Sequence, residues 1–217
     1  MKKIFGVIGL GRFGFHVAET LAKSGAEVIA IDKNEDRVKA ISDIVTRAYI
    51  ADVVDEKALE ESGIFTADTV IVSIGANIEA SILTVVILMN NGVKEVIAKA
   101  INSLHGKVLE KLGVKRIIYP EKEMAVKLAR SLVFSGILEE IPFAPGYSIF
   151  EIRLKENLCG KSLRDLDLRR KYGVNVLAIR RGEDVIINPS GDEIINKDDI
   201  LLILASEENV NDIVKYS

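Results

Sequence analysis

Apolar positions along this chain follow two rhythms. Short, nearly continuous apolar stretches alternate with segments whose apolar residues recur every three or four positions. The first pattern suits strands buried on both faces of a parallel sheet, and the second suits helices packed against it. Residues 3–8 read as the first strand, ending in a glycine turn. Phe13, Val17 and Leu21, with Ala18 and Ala22 beside them, mark a helix that Ser24-Gly25 ends, the glycine supplying a left-handed cap. Further strands are expected at Glu27–Asp32, Thr46–Ala51, Thr69–Ser73, Val96–Ala100 and Arg116–Tyr119. Between them lie helices at Glu35–Ser42, at Asp55–Ser62 with Asp55 as cap, after the cap Asn77, and at Ser103–Leu112 with Ser103 as cap. This alternation predicts an α/β fold with a doubly wound, six-stranded, parallel, Rossmann-like sheet. Its first nucleotide site would lie at the carboxyl ends of strands one to three.

The pattern changes after Pro120. Met124–Leu138 predicts a helix with Met124, Leu128 and Leu132 on one face. Ala125, Ala129 and Val133 extend that face, and Val126, Phe134, Ile137 and Leu138 add apolar surface round the side. So wide a face exceeds the stripe that a surface helix needs for one core. Ala125–Leu138 is therefore expected to be a crossover helix covered by a second copy of the chain. Residues 137–148 contain Pro142, Pro145 and Gly146, lack a clean period and read as a linker. Strands at Ile149–Leu154, Val174–Arg181, Val185–Ile187 and Ile200–Ala205, with helices at Gly160–Leu168 and Glu207–Lys215, predict a small α+β domain. The expected organisation is thus a nucleotide-binding domain with crossover helix at 1–136, a linker at 137–148 and a C-terminal domain at 149–217.

Composition narrows the function classes. The 217 residues carry 29 Lys and Arg against 32 Asp and Glu, a formal charge of −3, which gives no global drive toward nucleic acid or an anionic membrane. The apolar runs, Val85–Met89 among them, fall far short of the roughly 20 residues of a membrane helix. Lys2 and Lys3 precede an apolar segment that Arg12 interrupts, with no small-residue cleavage site after it. The segment reads as a strand rather than a signal sequence, so a cytoplasmic location is expected. The single Cys159 excludes an intrachain disulfide or a multi-cysteine zinc site within one chain. His16 and His105 leave little room for a histidine metal cluster.

Gly9-Leu10-Gly11-Arg12-Phe13-Gly14 matches G-x-G-x-x-G between a predicted strand and a predicted helix, and Asp32 ends the next strand 18 residues beyond Gly14. In such a layout Gly9 makes the tight turn, Gly11 lets a pyrophosphate approach the backbone, and Gly14 lets helix meet strand. The helix start offers free N–H groups and partial positive charge to phosphate, and Asp32 would accept from ribose hydroxyls. A carboxylate there disfavours a 2′-phosphate, which Lys33 softens only in part, leaving NAD or an adenine mononucleotide. Arg12 can fork onto a terminal phosphate, which NAD lacks. Asp52 is placed near the adenine or its ribose, Gly75 against the ligand, and Lys99 at the same cleft. His105 follows on the next helix, while His16 is assigned to packing. Glu121 can ligate a divalent cation together with phosphate oxygens. The C-terminal segment has no histidine and no evident acid–base set. Two classes stay open on these residues, a nucleotide sensor without catalysis and a small NAD-dependent oxidoreductase.

Residues Val7–Gly14, Ile74-Gly75-Ala76-Asn77, Lys107-Val108-Leu109-Glu110-Lys111 and Tyr119-Pro120-Glu121-Lys122-Glu123-Met124 carry a resemblance across essentially the whole chain. The sequence resembles the RCK (regulator of potassium conductance) family, in the KtrA/TrkA-type cytosolic subunits of bacterial potassium uptake. The resemblance implies a non-enzymatic regulatory subunit, assembled from dimers into an octameric ring. That ring docks on the cytoplasmic face of an integral membrane potassium-translocating subunit and gates it through exchange of ATP and ADP, with AMP or NAD as alternative ligands. It further implies a magnesium or calcium ion at Glu121 and leaves room for a cyclic dinucleotide in the C-terminal domain. The nucleotide contacts it implies are Arg12, Asp32, Lys33, Asn34, Asp52, Val53, Ile74, Gly75, Ala76, Lys99, Ala100, Ile101, His105 and Glu121, beside Gly9, Gly11, Phe13 and Gly14 of the glycine motif. Some relatives have Asn at the position of Asp52, so the base contact there is expected to differ.

Overall fold

A computed structural model describes residues 3–133 and 136–216. The chain forms two compact units, residues 1–121 and 122–217. In the first, strands β1 (Ile4–Ile8), β2 (Glu27–Asp32), β3 (Arg47–Ile50), β4 (Thr69–Val72), β5 (Glu95–Lys99) and β6 (Arg116–Ile118) form one sheet in the order β3-β2-β1-β4-β5-β6. Every pairing in it is parallel. Helices α1 (Arg12–Lys23), α2 (Glu35–Ser42), α3 (Glu56–Ser62), α4 (Ile78–Asn90) and α5 (Ser103–Lys111) connect the strands. This is the expected doubly wound, Rossmann-like sheet.

Successive strand residues point to opposite faces, and each face has its own core. Ile8, Ile29, Ile31, Val70, Val72 and Val96 pack with Leu59, Val85, Leu88 and Leu109 of α3, α4 and α5. Val7, Val28, Ala30 and Ile71 pack with Ala18, Val38 and Ile41 of α1 and α2. Helix ends follow local chemistry. Asp55 accepts from the Lys57 and Ala58 N–H groups, and Asn77 accepts from Ala80 N–H. Ser103 does not cap α5 as expected; Asn102, one residue earlier, does so by accepting from His105 N–H at 2.8 Å.

Helix α6 (Pro120–Val133) follows β6 and has no buried residue. Lys127 and Arg130 pair with Glu139 and Glu140, leaving Met124, Leu128 and Leu132 exposed. Phe134, counted in the crossover face, lies outside the described residues. The stretch read as a linker is a hairpin: β7 (Ile137–Ala144) pairs antiparallel with β8 (Tyr147–Arg153). Pro142 is tolerated because β7 is an edge strand, and Gly146 turns the chain with φ of +80°. Short helices α7 (Leu163–Leu166) and α8 (Leu168–Tyr172) replace the single expected helix at 160–168. Asp167, with φ of +47°, separates them. Strands β9 (Asn175–Arg181), β10 (Asp184–Ile187) and β11 (Ile200–Ala205) complete an antiparallel sheet in the order β10-β9-β11-β8-β7, and helix α9 (Glu207–Tyr216) follows. Phe150, Ile152, Ile179, Leu201 and Ile203 form its core with Val210 and Ile213 of α9.

Candidate functional site

The carboxyl ends of the parallel strands open into a cavity of about 570 Å³. It lies where the strand order reverses between β1 and β4, the place where open α/β sheets hold ligands. Gly9 leaves β1 with φ of +91°, and a Cβ there would stand 2.8 Å from the Ser73 carbonyl oxygen; both facts require glycine. A Cβ on Gly14 would overlap the Gly9 carbonyl oxygen, so this glycine lets α1 close onto the turn. Gly11 occupies the N-cap of α1 and brings no capping side chain. The first N–H groups of that helix are thus left for a ligand.

Asp32 ends β2 almost fully buried, at 4% exposure. It accepts from Leu10 N–H at 2.6 Å and from Asn34 N–H at 2.8 Å, and Arg37 Nη1 stands 3.4 Å away. The carboxylate therefore ties the glycine turn to the end of β2, while Arg37 brings a cation to the same corner. Beyond β3, Asp52 accepts from Val54 N–H at 3.2 Å and lines the cavity with Val53 and Val54. Ala80 and Leu83 of α4 add apolar lining, and Ser73, Ile74, Gly75, Ala76 and Asn77 form the stretch after β4.

At the far side, Lys99 Nζ donates to Glu121 Oε1 at 2.6 Å. That hydrogen bond is the main cause holding the Glu121 carboxyl below its ordinary range, with the charge of Arg12 acting in the same direction. Arg12 itself is exposed and lines the cavity.

The cavity thus gathers Gly9, Gly11, Arg12, Phe13, Asp32, Lys33, Asp52, Val53, Ile74, Gly75, Ala76, Lys99 and Glu121. The remaining expected residues do not line it. Gly14 acts through the close packing just described. The Asn34 side chain caps α2 by accepting from Arg37 N–H. Ala100 is buried and Ile101 is half exposed. His105 is 2% exposed, and its Nδ1 accepts from Ile101 N–H at 3.5 Å. Its Nε2 is buried with no hydrogen-bond partner among the described residues. Burial pushes the imidazole pKa down. Arg37, Glu79 and Leu83 line the cavity without having been picked out in the sequence. Arg37 had a usable signal, since it lies in the first turn of the helix that follows Asp32.

Among the described residues no three His, Cys, Asp or Glu side chains gather to hold a metal. Glu121 can therefore serve a hard cation only alongside oxygens from a ligand or a second chain. No helix of the described residues is long and apolar enough to cross a membrane.

Residues 5–120 match the TrkA-N domain, and residues 149–217 match the TrkA-C domain. The chain is similar to Ktr system potassium uptake protein C of Bacillus subtilis, at 43% identity over 211 residues covering 97% of this chain and 96% of the relative. It is 42% identical over 209 residues to Ktr system potassium uptake protein A of the same organism, covering 96% and 94%. Among solved structures, the GsuK RCK domain superposes on 100% of this chain with a TM-score of 0.67 at 13% identity. The present chain spans 47% of that longer one, and the likeness is one of fold.

Proposed function

The chain belongs to the RCK family built from TrkA-N and TrkA-C domains, and from that premise we propose that it is the nucleotide-sensing regulatory subunit of a potassium uptake system. The observation that carries the reading is the cavity at the β1 turn, where a buried ribose-type acceptor, Asp32, and an exposed arginine, Arg12, share one site with open helix amides. The adenosine half is assigned to the β2 and β3 ends, where Asp32 meets the ribose and Val53, Val54 and Leu83 offer apolar surface. The phosphates lie over the glycine turn, with Arg12 on the last of them. ATP and ADP, rather than NAD, make use of that cation. The ligand changes the shape of the protein and does not react. A magnesium or calcium ion is assigned to Glu121 together with phosphate oxygens.

The exposed face of α6 supports assembly, since Met124, Leu128 and Leu132 repeat every four residues with nothing over them in the single chain. A second copy covers this face, and dimers close into an octameric ring in the cytoplasm, bound to a membrane potassium-translocating subunit. Ring closure repeats a small hinge change at every subunit and so amplifies it. The family resemblance extends the proposal to a cyclic dinucleotide in the C-terminal unit.

The test is complementation. In Bacillus subtilis lacking its Ktr system proteins A and C, this chain should restore growth at limiting potassium, and Arg12→Ala should not. Equal rescue by both forms would contradict the nucleotide-sensing role.

A further inference from the structure

Lys99 ends β5, Glu121 begins α6 just beyond the neighbouring strand β6, and both line the cavity. Their surroundings differ sharply: the Lys99 side chain is 11% exposed and that of Glu121 71%. The ammonium runs close to Gly75, whose missing Cβ would stand 3.5 Å from Nζ. A largely buried ammonium needs a counter-charge, and among the described residues its ion-pair partner is Glu121. Glu121 in turn sits in the first turn of α6, the helix on which the chain continues out of the first unit.

We infer that the Lys99–Glu121 ion pair is a latch that nucleotide phosphate opens: the phosphate takes the lysine, and the start of α6 loses its tie to β5. The inference rests on the nucleotide reading above and adds how that site is regulated. A di- or triphosphate presents several negative charges to Lys99 where Glu121 presents one. Exchange of one anion for another leaves the ammonium paired throughout. Glu121 loses little by release because water already reaches it. AMP, whose single phosphate stays over the glycine turn, leaves the latch closed.

The experiment is calorimetric titration of the full chain, free of divalent cations, with ATP and AMP. Four forms are compared: wild type, Glu121→Gln, Lys99→Gln and the double variant. Removing the competing carboxylate should tighten ATP by roughly 1.5-fold to fivefold, the range expected for a solvent-facing ion pair. In the Lys99→Gln background the same change should have no effect. Thermal unfolding shows that each form is folded, and for AMP the Glu121→Gln change should make no difference in either background. Equal tightening in both backgrounds would overturn the latch, because simple repulsion between Glu121 and phosphate needs no lysine. No tightening in either would overturn it as well. Failure of ATP to bind the wild type is a different result and overturns the nucleotide reading itself. Amide hydrogen exchange on the wild type gives an independent readout: ATP, but not AMP, should speed exchange over residues 122–128, and unchanged exchange with ATP bound counts against the latch.

Discussion

In the proposed binding mode, Arg12 is the cation that distinguishes a terminal phosphate from the rest of the nucleotide, and Arg12→Ala removes it. The side chain is exposed, begins α1 and lines the cavity, so binding a phosphate breaks no ion pair that Arg12 already makes among the described residues. Its charge reaches Glu121 without a direct bond. A charge-assisted hydrogen bond is worth about 1.5–3 kcal/mol, or roughly 10- to 150-fold in affinity. Because the cavity opens to solvent at this end, screening favours the lower part of that range. Arg12→Ala should therefore weaken ATP by about tenfold or somewhat more, ADP by less and AMP least. Calorimetric titration of the three nucleotides on the same preparations measures this. Equal losses for all three would mean that Arg12 does not read the terminal phosphate, and the orientation of the ligand in the cavity would have to be reversed.

Asp32→Ala should weaken ATP, ADP and AMP alike, because ribose is common to them. It should also lower the unfolding midpoint, since Leu10 and Asn34 N–H lose a buried acceptor at about 1–3 kcal/mol for a group left unsatisfied; full affinity for AMP would remove Asp32 from the site. Gly14→Ala must push α1 away from the Gly9 carbonyl, so thermal unfolding should show a loss of about 1–3 kcal/mol, together with lost nucleotide binding, and an unaffected variant would contradict the packing described. In the C-terminal unit, burial alone raises the Asp199 carboxyl, but hydrogen bonds from Arg181 and Asn196 N–H bring it below its ordinary range. That stabilisation is complete above the unfolded carboxyl pKa of about 4 and is lost as pH falls through the lowered folded value. Urea unfolding should thus show acid destabilisation that Asp199→Asn reduces, an unchanged pH dependence counting against this ion pair. Charged residues at Leu128 and Leu132 should leave nucleotide affinity intact and reduce the assembly to monomers by light scattering; a wild type that is itself monomeric at micromolar concentration would refute the crossover role of α6.

The parallel sheet was legible because its central strands β1, β2 and β4 are largely buried and its helices carry local caps such as Asp55 and Asn77. The hairpin at 137–153 was not. Strand β7 lies at the sheet edge, exposes Ile141 and Phe143 and contains Pro142, so its apolar alternation is blurred and its proline suggests a loop. The glycine turn, Arg12 and Asp32 were readable from spacing, since each role depends on backbone geometry close by in sequence. Arg37, Glu79 and Leu83 were not, because reaching the cavity depends on how α2 and α4 are rotated on the sheet. His105 shows the reverse case: its position just past β5 suggested a ligand contact, but folding turned the ring inward, where Ile101 N–H holds it.

The central claim is that adenine nucleotides of differing phosphate number occupy the β1 cavity. Native mass spectrometry of the protein as purified, followed by challenge with excess ADP, tests it most directly. The account predicts ATP or ADP bound to an oligomer, with ATP displaced by ADP and no displacement in Arg12→Ala that distinguishes the two. Bound NAD that neither ATP nor ADP displaces would contradict it and would favour a nicotinamide-dependent role for the same cavity.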